Sequence, residues 1–387
     1  MSRVEPGSLV LVTGVNGHVA STVAMRMLQK GYRVRGTVRK FSKAHYVQRE
    51  FAGFGSSFEV LEVTDISLPG AFDSAIEGVD AVVHVSSPTT LDAKTPEEQY
   101  VPAVNGTLSI LRSAVEARTV KRFLYMSTIG TAIMCDRDVS KEAVTGNDWN
   151  VVSEIAAQNA DDPARPFHIY VGSKIAAERA AFKFAAEHKV GASVRVKRRS
   201  HLVLKDALAV TSILGTFVFG PVHKAITSPP RLDVSLGQLH ATFAKPPRRE
   251  GMNPIPSSEC FGWNAIALND TDVPWLAPWV HAYDLGDLFV ASLTSDKTAG
   301  KRLIACAGKA SWAQMGDIVR SAYPDRPYPP VSKDAPYVNY PGAEEIQFDT
   351  DLEVELLGGK WRTLEDAVLS CARDLIEKEG RGWDKGD

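Results

Sequence analysis

The sequence predicts an α/β architecture: a doubly wound parallel sheet with a smaller, irregular C-terminal lobe. Three observations carry this. Short apolar strands alternate with helical segments from the start of the chain, a glycine-rich turn joins the first strand to the first helix, and the alternation gives way to scattered prolines after residue 222. Strands buried on both faces read as continuous apolar runs, and helical connections between them require parallel pairing.

The run SLVLVT at 8–13 is too short for a helix and stops at Gly14, so it reads as a buried strand. Val19 to Lys30 follows as a helix, with Val23, Met27 and Leu28 on one face and Gly31 as its stop. Tyr32 to Val38 is a second strand. The alternation continues through FEVLEV at 58–63, AVVHVSS at 81–87, a helix over Val104 to Ala117 and the strand RFLYMST at 122–128. Pro229, Pro230, Pro246, Pro247, Pro254 and Pro256 then break the rhythm. Helical pattern resumes at Tyr283 to Ser295, Trp312 to Ala322 and Leu364 to Glu379. The expected division is a first domain over 1–222 and a second lobe over 223–387, with 279–295 packing back on the first domain.

Composition narrows the function class. The 387 residues are 44% hydrophobic and 23% charged, which excludes disorder and fibrous repeats. Lys plus Arg at 44 nearly cancels Asp plus Glu at 46, so no global field favours nucleic acid or an anionic membrane. Cys135, Cys260, Cys306 and Cys371 are too far apart for a metal knuckle or a Cys-x-x-Cys pair, which suits a reducing compartment. The N-terminus has no apolar signal core, and no stretch reaches the ~18 apolar residues that span a bilayer. A cytoplasmic protein is expected, with a small-molecule substrate, no nucleic-acid or membrane partner and no metal.

The first strand ends in Gly14-Val15-Asn16-Gly17-His18-Val19-Ala20. Glycines let the chain turn tightly there and bring backbone N–H groups to a pyrophosphate at the positive end of the next helix. The placement at the first strand-to-helix junction marks 1–222 as a dinucleotide-binding, Rossmann-type domain, with Gly14, Asn16, Gly17, His18 and Val19 as cofactor-binding candidates. The second strand ends in Thr37-Val38-Arg39-Lys40, where a carboxylate would be expected for NAD. Arg39 can grip a 2'-phosphate with its planar fork and Lys43 can add a point charge, so NADP(H) is favoured; the bland alternative is a solvated basic loop. After the third strand, Asp65 can accept from an adenine amino group and Ile66 can pack on the ring.

Of ten tyrosines only Tyr170 is followed four residues later by a lysine, Lys174 in YVGSK, and the run that follows is rich in helix formers. That spacing puts phenol and ammonium on one helix face, where the cation makes the phenol a better proton donor. Thr128 ends the strand 122–128, and strand ends in an open parallel sheet line the ligand crevice. A hydroxyl there can hold a substrate carbonyl beside the phenol; the bland alternative is a threonine that caps a turn.

These residues resemble the extended short-chain dehydrogenase/reductase family, closest to its dihydroflavonol reductase, cinnamoyl-CoA reductase and fungal aldehyde (methylglyoxal) reductase group. The matching stretches are VTGVNGHVAS at 12–21, TVRK at 37–40, EGVDAVVHVSSP at 77–88, VNGTLSILRSA at 104–114, FLYMSTIG at 123–130, NDWN at 147–150, YVGSK at 170–174, FVFGP at 217–221 and WVHAYDLGDLFVASL at 279–293. The resemblance implies an NADPH-dependent reductase of an aldehyde or ketone, monomeric or homodimeric. It makes Tyr170 the general acid, gives Lys174 to the nicotinamide ribose and to the support of the tyrosine, and puts Thr128 in the catalytic hydroxyl position, with Ser127 as the rival. Arg39 and Lys43 fall on the 2'-phosphate positions, and Asp65 and Ile66 on those flanking adenine. An NAD-dependent sugar-nucleotide epimerase or hydroxysteroid dehydrogenase with the same triad is the alternative within the superfamily, and a non-catalytic dinucleotide-binding protein the alternative outside it.

The chain departs from the family pattern at RVKRRSHLVLKDALAVTS, 195–212, which reads as an insertion, and at Leu214, where the family usually has proline. Displacement of FVFGP by this segment would damage the nicotinamide pocket. Trp263, Trp275 and Trp279 either line an apolar substrate pocket or are plain core. His18, His84 and His281 have backbone or cofactor-side explanations.

Overall fold

The computed structural model describes residues 3–88, 93–133, 143–162, 164–190, 208–225, 234–243, 276–328 and 346–383. Among the described residues the strands are β1 (Leu9–Val12), β2 (Arg33–Val38), β3 (Phe58–Glu62), β4 (Ala81–His84), β5 (Arg122–Thr128), β6 (Ala209–Gly215), β7 (Phe217–Phe219), β8 (Ala277–His281), β9 (Arg302–Ala305) and β10 (Gly308–Ala310). The helices are α1 (His18–Gln29), α2 (His45–Glu50), α3 (Pro96–Ala117), α4 (Val151–Ala156), α5 (Arg165–Val190), α6 (Val234–Ala241), α7 (Ala282–Thr294), α8 (Trp312–Ala322), α9 (Asp351–Leu356) and α10 (Leu364–Gly380).

Seven strands form one sheet in the order β3-β2-β1-β4-β5-β6-β9, and every pairing in it is parallel. Strand side chains alternate between faces, and both faces are apolar. Val10, Val12, Val83 and Leu124 join one core with Val23 and Met27 of α1 and Leu285, Leu288 and Phe289 of α7. Leu9, Leu11, Val82 and Phe123 join the opposite core with Ile110 and Leu111 of α3 and Ala177 and Ala181 of α5. This is the doubly wound Rossmann arrangement. The helices α1 and α7 meet closely: a Cβ on Gly286 would lie 2.6 Å from Arg26 Cγ, and Arg26 donates to both oxygens of Asp287 at 2.9 and 3.0 Å.

A three-stranded sheet, β10-β8-β7, carries the second lobe, with β7 parallel and β10 antiparallel to β8. Its core holds Phe219, Leu236, Trp279, Trp312, Val368 and Leu375. Trp279 is therefore core here, while Trp263 and Trp275 lie outside the described residues.

Three expectations need correction. A cut at 222 does not separate the two sheets, because β7 lies before it in the small sheet and β9 lies after it in the large one. Residues 209–212, read as the end of an insertion, open β6, which pairs with β5 from Arg122↔Ala209 to Thr128↔Gly215 and is buried throughout. The run AVTSILG suits a strand covered on both faces, and FVF then forms β7 in the second sheet. Residues 195–207 lie outside the described set. Finally, α3 starts at Pro96, well before Val104, because its first turns are polar: Pro at the first helical position and Glu97 and Glu98 suit a helix N-terminus without showing apolar periodicity. Among the described residues no helix is long and apolar enough to cross a membrane.

Candidate active site

The strand order reverses between β1 and β4, and the C-terminal ends of β1, β4 and β5 open at that switch point. Gly14 takes φ +69°, a conformation L side chains rarely adopt, and a Cβ there would lie 2.7 Å from Ser86 Oγ. Its N–H donates to Thr37 Oγ1 at 3.3 Å, and Gly17 N–H donates to Gly14 O at 2.9 Å. Helix α1 starts with no side-chain cap and no acidic residue in its first turn, so its leading N–H groups present an uncompensated positive end. Asn16 and Val19 are half-buried in this turn, and His18 is buried with Nε2 3.4 Å from Val218 O on β7.

Thr13 ties the turn to the loop after β4. Its Oγ1 accepts from Val85 N–H at 3.0 Å and Ser86 N–H at 2.9 Å, so its single proton goes to His84 Nδ1, 3.0 Å away. That fixes His84 as the neutral tautomer protonated on Nε2; burial and the Lys174 charge push its pKa down to about 3.

Beyond β2, Arg39 and Lys43 are exposed, and neither side chain hydrogen-bonds a protein group among the described residues. Their loop is held by Phe41 N–H, which donates to Glu62 Oε2 at 2.7 Å. Asp65 Oδ1 accepts from Ser67 N–H at 2.9 Å and Ser67 Oγ at 2.6 Å; these bonds, and more weakly Arg39, hold its carboxyl below the usual range. Ile66 packs on Gly106 of α3, where a Cβ would lie 3.0 Å from Ile66 Cδ1. A bare glycine cradle, an uncapped helix end and two exposed cations past β2 fit a phosphorylated dinucleotide.

The Thr128 hydroxyl lies near the Tyr170 phenol, and its Oγ1 caps the turn after β5 by accepting from Gly130 N–H at 3.3 Å. Burial raises the Tyr170 pKa above its ordinary value, and the nearby Thr128 hydroxyl opposes the rise. Lys174, one turn along α5, is buried; its Nζ donates to Met126 O at 2.6 Å and lies 4.4 Å over the Tyr125 ring. Burial lowers its pKa to about 8, against the opposing pull of Glu178. The ammonium is turned towards the end of β5 by its bond to Met126 O. Ser127 faces away: its hydroxyl donates to Glu178 Oε2 at 2.8 Å in the protein interior. His281 caps α7, its Nδ1 accepting from Tyr283 N–H at 2.9 Å.

Two buried residues at this site escaped the sequence reading. Glu178 of α5 is fully buried and accepts from Arg302 Nε of β9 at 2.9 Å. Arg302 also donates to Thr131 Oγ1 at 2.7 Å and to the carbonyls of Gly146 and Asp148, and stacks 3.7 Å over Trp149. The signal for Glu178 was its position four residues after Lys174 on the same helix face; Arg302 left none.

A family model described as NAD dependent epimerase/dehydratase family matches residues 10–203. The chain is 29% identical over 385 residues to Aldehyde reductase 2 of Sporidiobolus salmonicolor, covering 96% of each. It is 35% identical over 330 residues to Ketoreductase adrE of Penicillium roqueforti, covering 83% of this chain and 82% of the relative. The fold matches yeast methylglyoxal/isovaleraldehyde reductase Gre2, solved in complex with NADPH, with TM-score 0.73, 23% identity and coverage of 96% of this chain and 99% of the other.

Proposed function

The chain belongs to the NAD dependent epimerase/dehydratase family, and from that premise we propose that it reduces an aldehyde or ketone to the alcohol, using NADPH as hydride donor and Tyr170 as general acid. One observation carries the reading: the Tyr170 phenol lies near the Thr128 hydroxyl at the C-terminal end of β5, with Lys174 one turn further along the same helix. Relatives named as aldehyde reductase and ketoreductase, and a fold neighbour solved with NADPH, support it.

The turn Gly14 to Val19 would hold the pyrophosphate, Arg39 and Lys43 the 2'-phosphate, Asp65 and Ile66 the adenine, and Lys174 the nicotinamide ribose. NADPH, when bound, supplies the hydride that reaches the carbonyl carbon. Thr128 has one hydroxyl proton, and by donating it to the carbonyl oxygen it can hold that oxygen beside Tyr170, whose own proton stays free for transfer. Tyr170 then gives its proton to the oxygen as negative charge develops there, and regains one from solvent. The burial that raises the Tyr170 pKa keeps the proton on the phenol until the substrate oxygen becomes the stronger base.

The test is NADPH absorbance with a panel of aldehydes and ketones, for wild type and Tyr170→Phe. Wild type is expected to consume NADPH, and Tyr170→Phe to lose about 100- to 10,000-fold in rate while still binding the cofactor. Full rate in Tyr170→Phe would refute the mechanism. Tightly held NAD with no NADPH consumption would point to an epimerase instead.

A further inference from the structure

We infer that the buried pair Glu178 and Arg302 is the positioning device of this site: it locks α5 to the strand end that carries Thr128 and sets the charge environment of Lys174. The inference rests on the reductase reading for its kinetic consequence, but not for its geometry.

Tyr170, Lys174 and Glu178 recur every four residues along α5, so the proton donor, the ammonium and the carboxylate share one helix face. Glu178 is 0% exposed, and its two oxygens are divided between Ser127 Oγ at 2.8 Å and Arg302 Nε at 2.9 Å, with Arg302 Nη2 at 3.5 Å. Arg302 spends its remaining donors on Thr131 Oγ1 and the Gly146 and Asp148 carbonyls. Thr131 Oγ1 in turn donates to Thr128 O at 2.9 Å, and Asn150 Nδ2 donates to Gly130 O at 2.8 Å. The turn after β5 is therefore fastened from β9 and from the 146–150 segment, while the same guanidinium grips α5 through Glu178. A shift of either element would break several bonds at once.

The charges around Lys174 single out the same carboxylate. On β4 it faces His84, held neutral with a pKa of about 3; on β5 it faces Tyr125, whose pKa is raised well above the ordinary value; on α5 it has neutral Tyr170 and Glu178. Glu178 is the one negative charge in that set near neutral pH, and Arg302 stands on its far side. A carboxylate four residues away opposes the burial that disfavours the ammonium. Removing the carboxylate should release the proton from Lys174 at lower pH; removing Arg302 alone should leave the carboxylate unshared and hold the proton more tightly.

The experiment is a pH titration of the Lys174 Cε resonance in cofactor-free, 13C-lysine-labelled protein, assigned with Lys174→Arg. Wild type should titrate near the value of about 8 set by burial. The neutral pair Glu178→Gln with Arg302→Gln should titrate about one pH unit lower, Arg302→Gln alone higher, and Glu178→Asp close to wild type. Equal midpoints in wild type and both Gln variants would overturn the inference. With NADPH and a carbonyl substrate, the alkaline limb of kcat/KM should move with the midpoint in the folded double variant; a fixed limb would reduce the pair to a structural brace. A wild type with no reductase activity would refute the function, while the titration would still decide the role of Glu178.

Discussion

The hydroxyl of Thr128 lies near the phenol of Tyr170, whereas Ser127, its neighbour on β5, sends its hydroxyl to Glu178 at 2.8 Å. Adjacent strand residues point to opposite sides, so only one of the two hydroxyls can reach the crevice. Thr128→Val keeps the shape and removes the hydroxyl beside Tyr170; it is expected to lower kcat/KM about 100-fold with little change in melting temperature. Ser127→Ala leaves a buried carboxylate oxygen short of a donor and is expected to cost about 1–3 kcal/mol of stability, with the smaller kinetic loss. Rate assays and urea unfolding of both variants check the ordering; its reversal would make Ser127 the catalytic hydroxyl.

How much of this was legible beforehand follows from the range of the interactions. The glycine turn, the Tyr170–Lys174 spacing and the strand end at Thr128 are local patterns; the turn follows β1 and Thr128 ends β5 of one parallel sheet, and Tyr170 of α5 lies near Thr128. The choice between Ser127 and Thr128 was not legible, because two hydroxyls at a strand end look alike until the register of β5 is known. The strand β6 was misread because its apolar run follows a basic stretch and was taken together with it. Arg302 was invisible: it lies 124 positions from Glu178 in the chain, and only the pairing of β6 with β9 delivers it.

Gly14→Ala tests the cradle. The substitution forces a side chain into φ +69° and places a Cβ 2.7 Å from Ser86 Oγ. A loss of at least about 1 kcal/mol in stability is expected, since an alanine at positive φ is strained. Weaker NADPH binding should accompany it, because relief of the strain at φ +69° would shift the N–H groups of the turn. Fluorescence titration of the cofactor and thermal unfolding read the two effects; unchanged affinity would remove the turn from the phosphate site.

Arg39 and Lys43 offer cations that no protein hydrogen bond engages among the described residues. A charge-assisted bond to a phosphate contributes about 1.5–3 kcal/mol, which corresponds to roughly 10- to 100-fold in affinity. Arg39→Asp should therefore cut the preference for NADPH over NADH by at least about tenfold, and wild-type NADPH binding should weaken as salt rises. Dissociation constants for both cofactors at two ionic strengths provide the measurement. An unchanged ratio would return the loop to an ordinary solvated surface.

Lys174 should cost the fold stability that the site keeps for function. Burial lowers its pKa from 10.5 to about 8, so below pH 8 the folded chain carries a charge it disfavours, a penalty on the order of 3 kcal/mol. Between pH 8 and 10.5 the unfolded chain holds a proton that the folded chain has released; stability therefore falls as pH drops through that window, and the penalty is complete below it. Lys174→Met removes the penalty but leaves Met126 O without its donor, a loss of about 1 kcal/mol. The variant is thus expected to be inactive yet more stable than wild type by about 1–2 kcal/mol at pH 7, with the gap closing as pH rises from 8 to 10.5. Urea unfolding at pH 7 and 10 decides the point: a variant less stable than wild type at pH 7 would mean that the ammonium is a net stabiliser of the fold, and a gap that does not change with pH would mean that Lys174 titration is not its source.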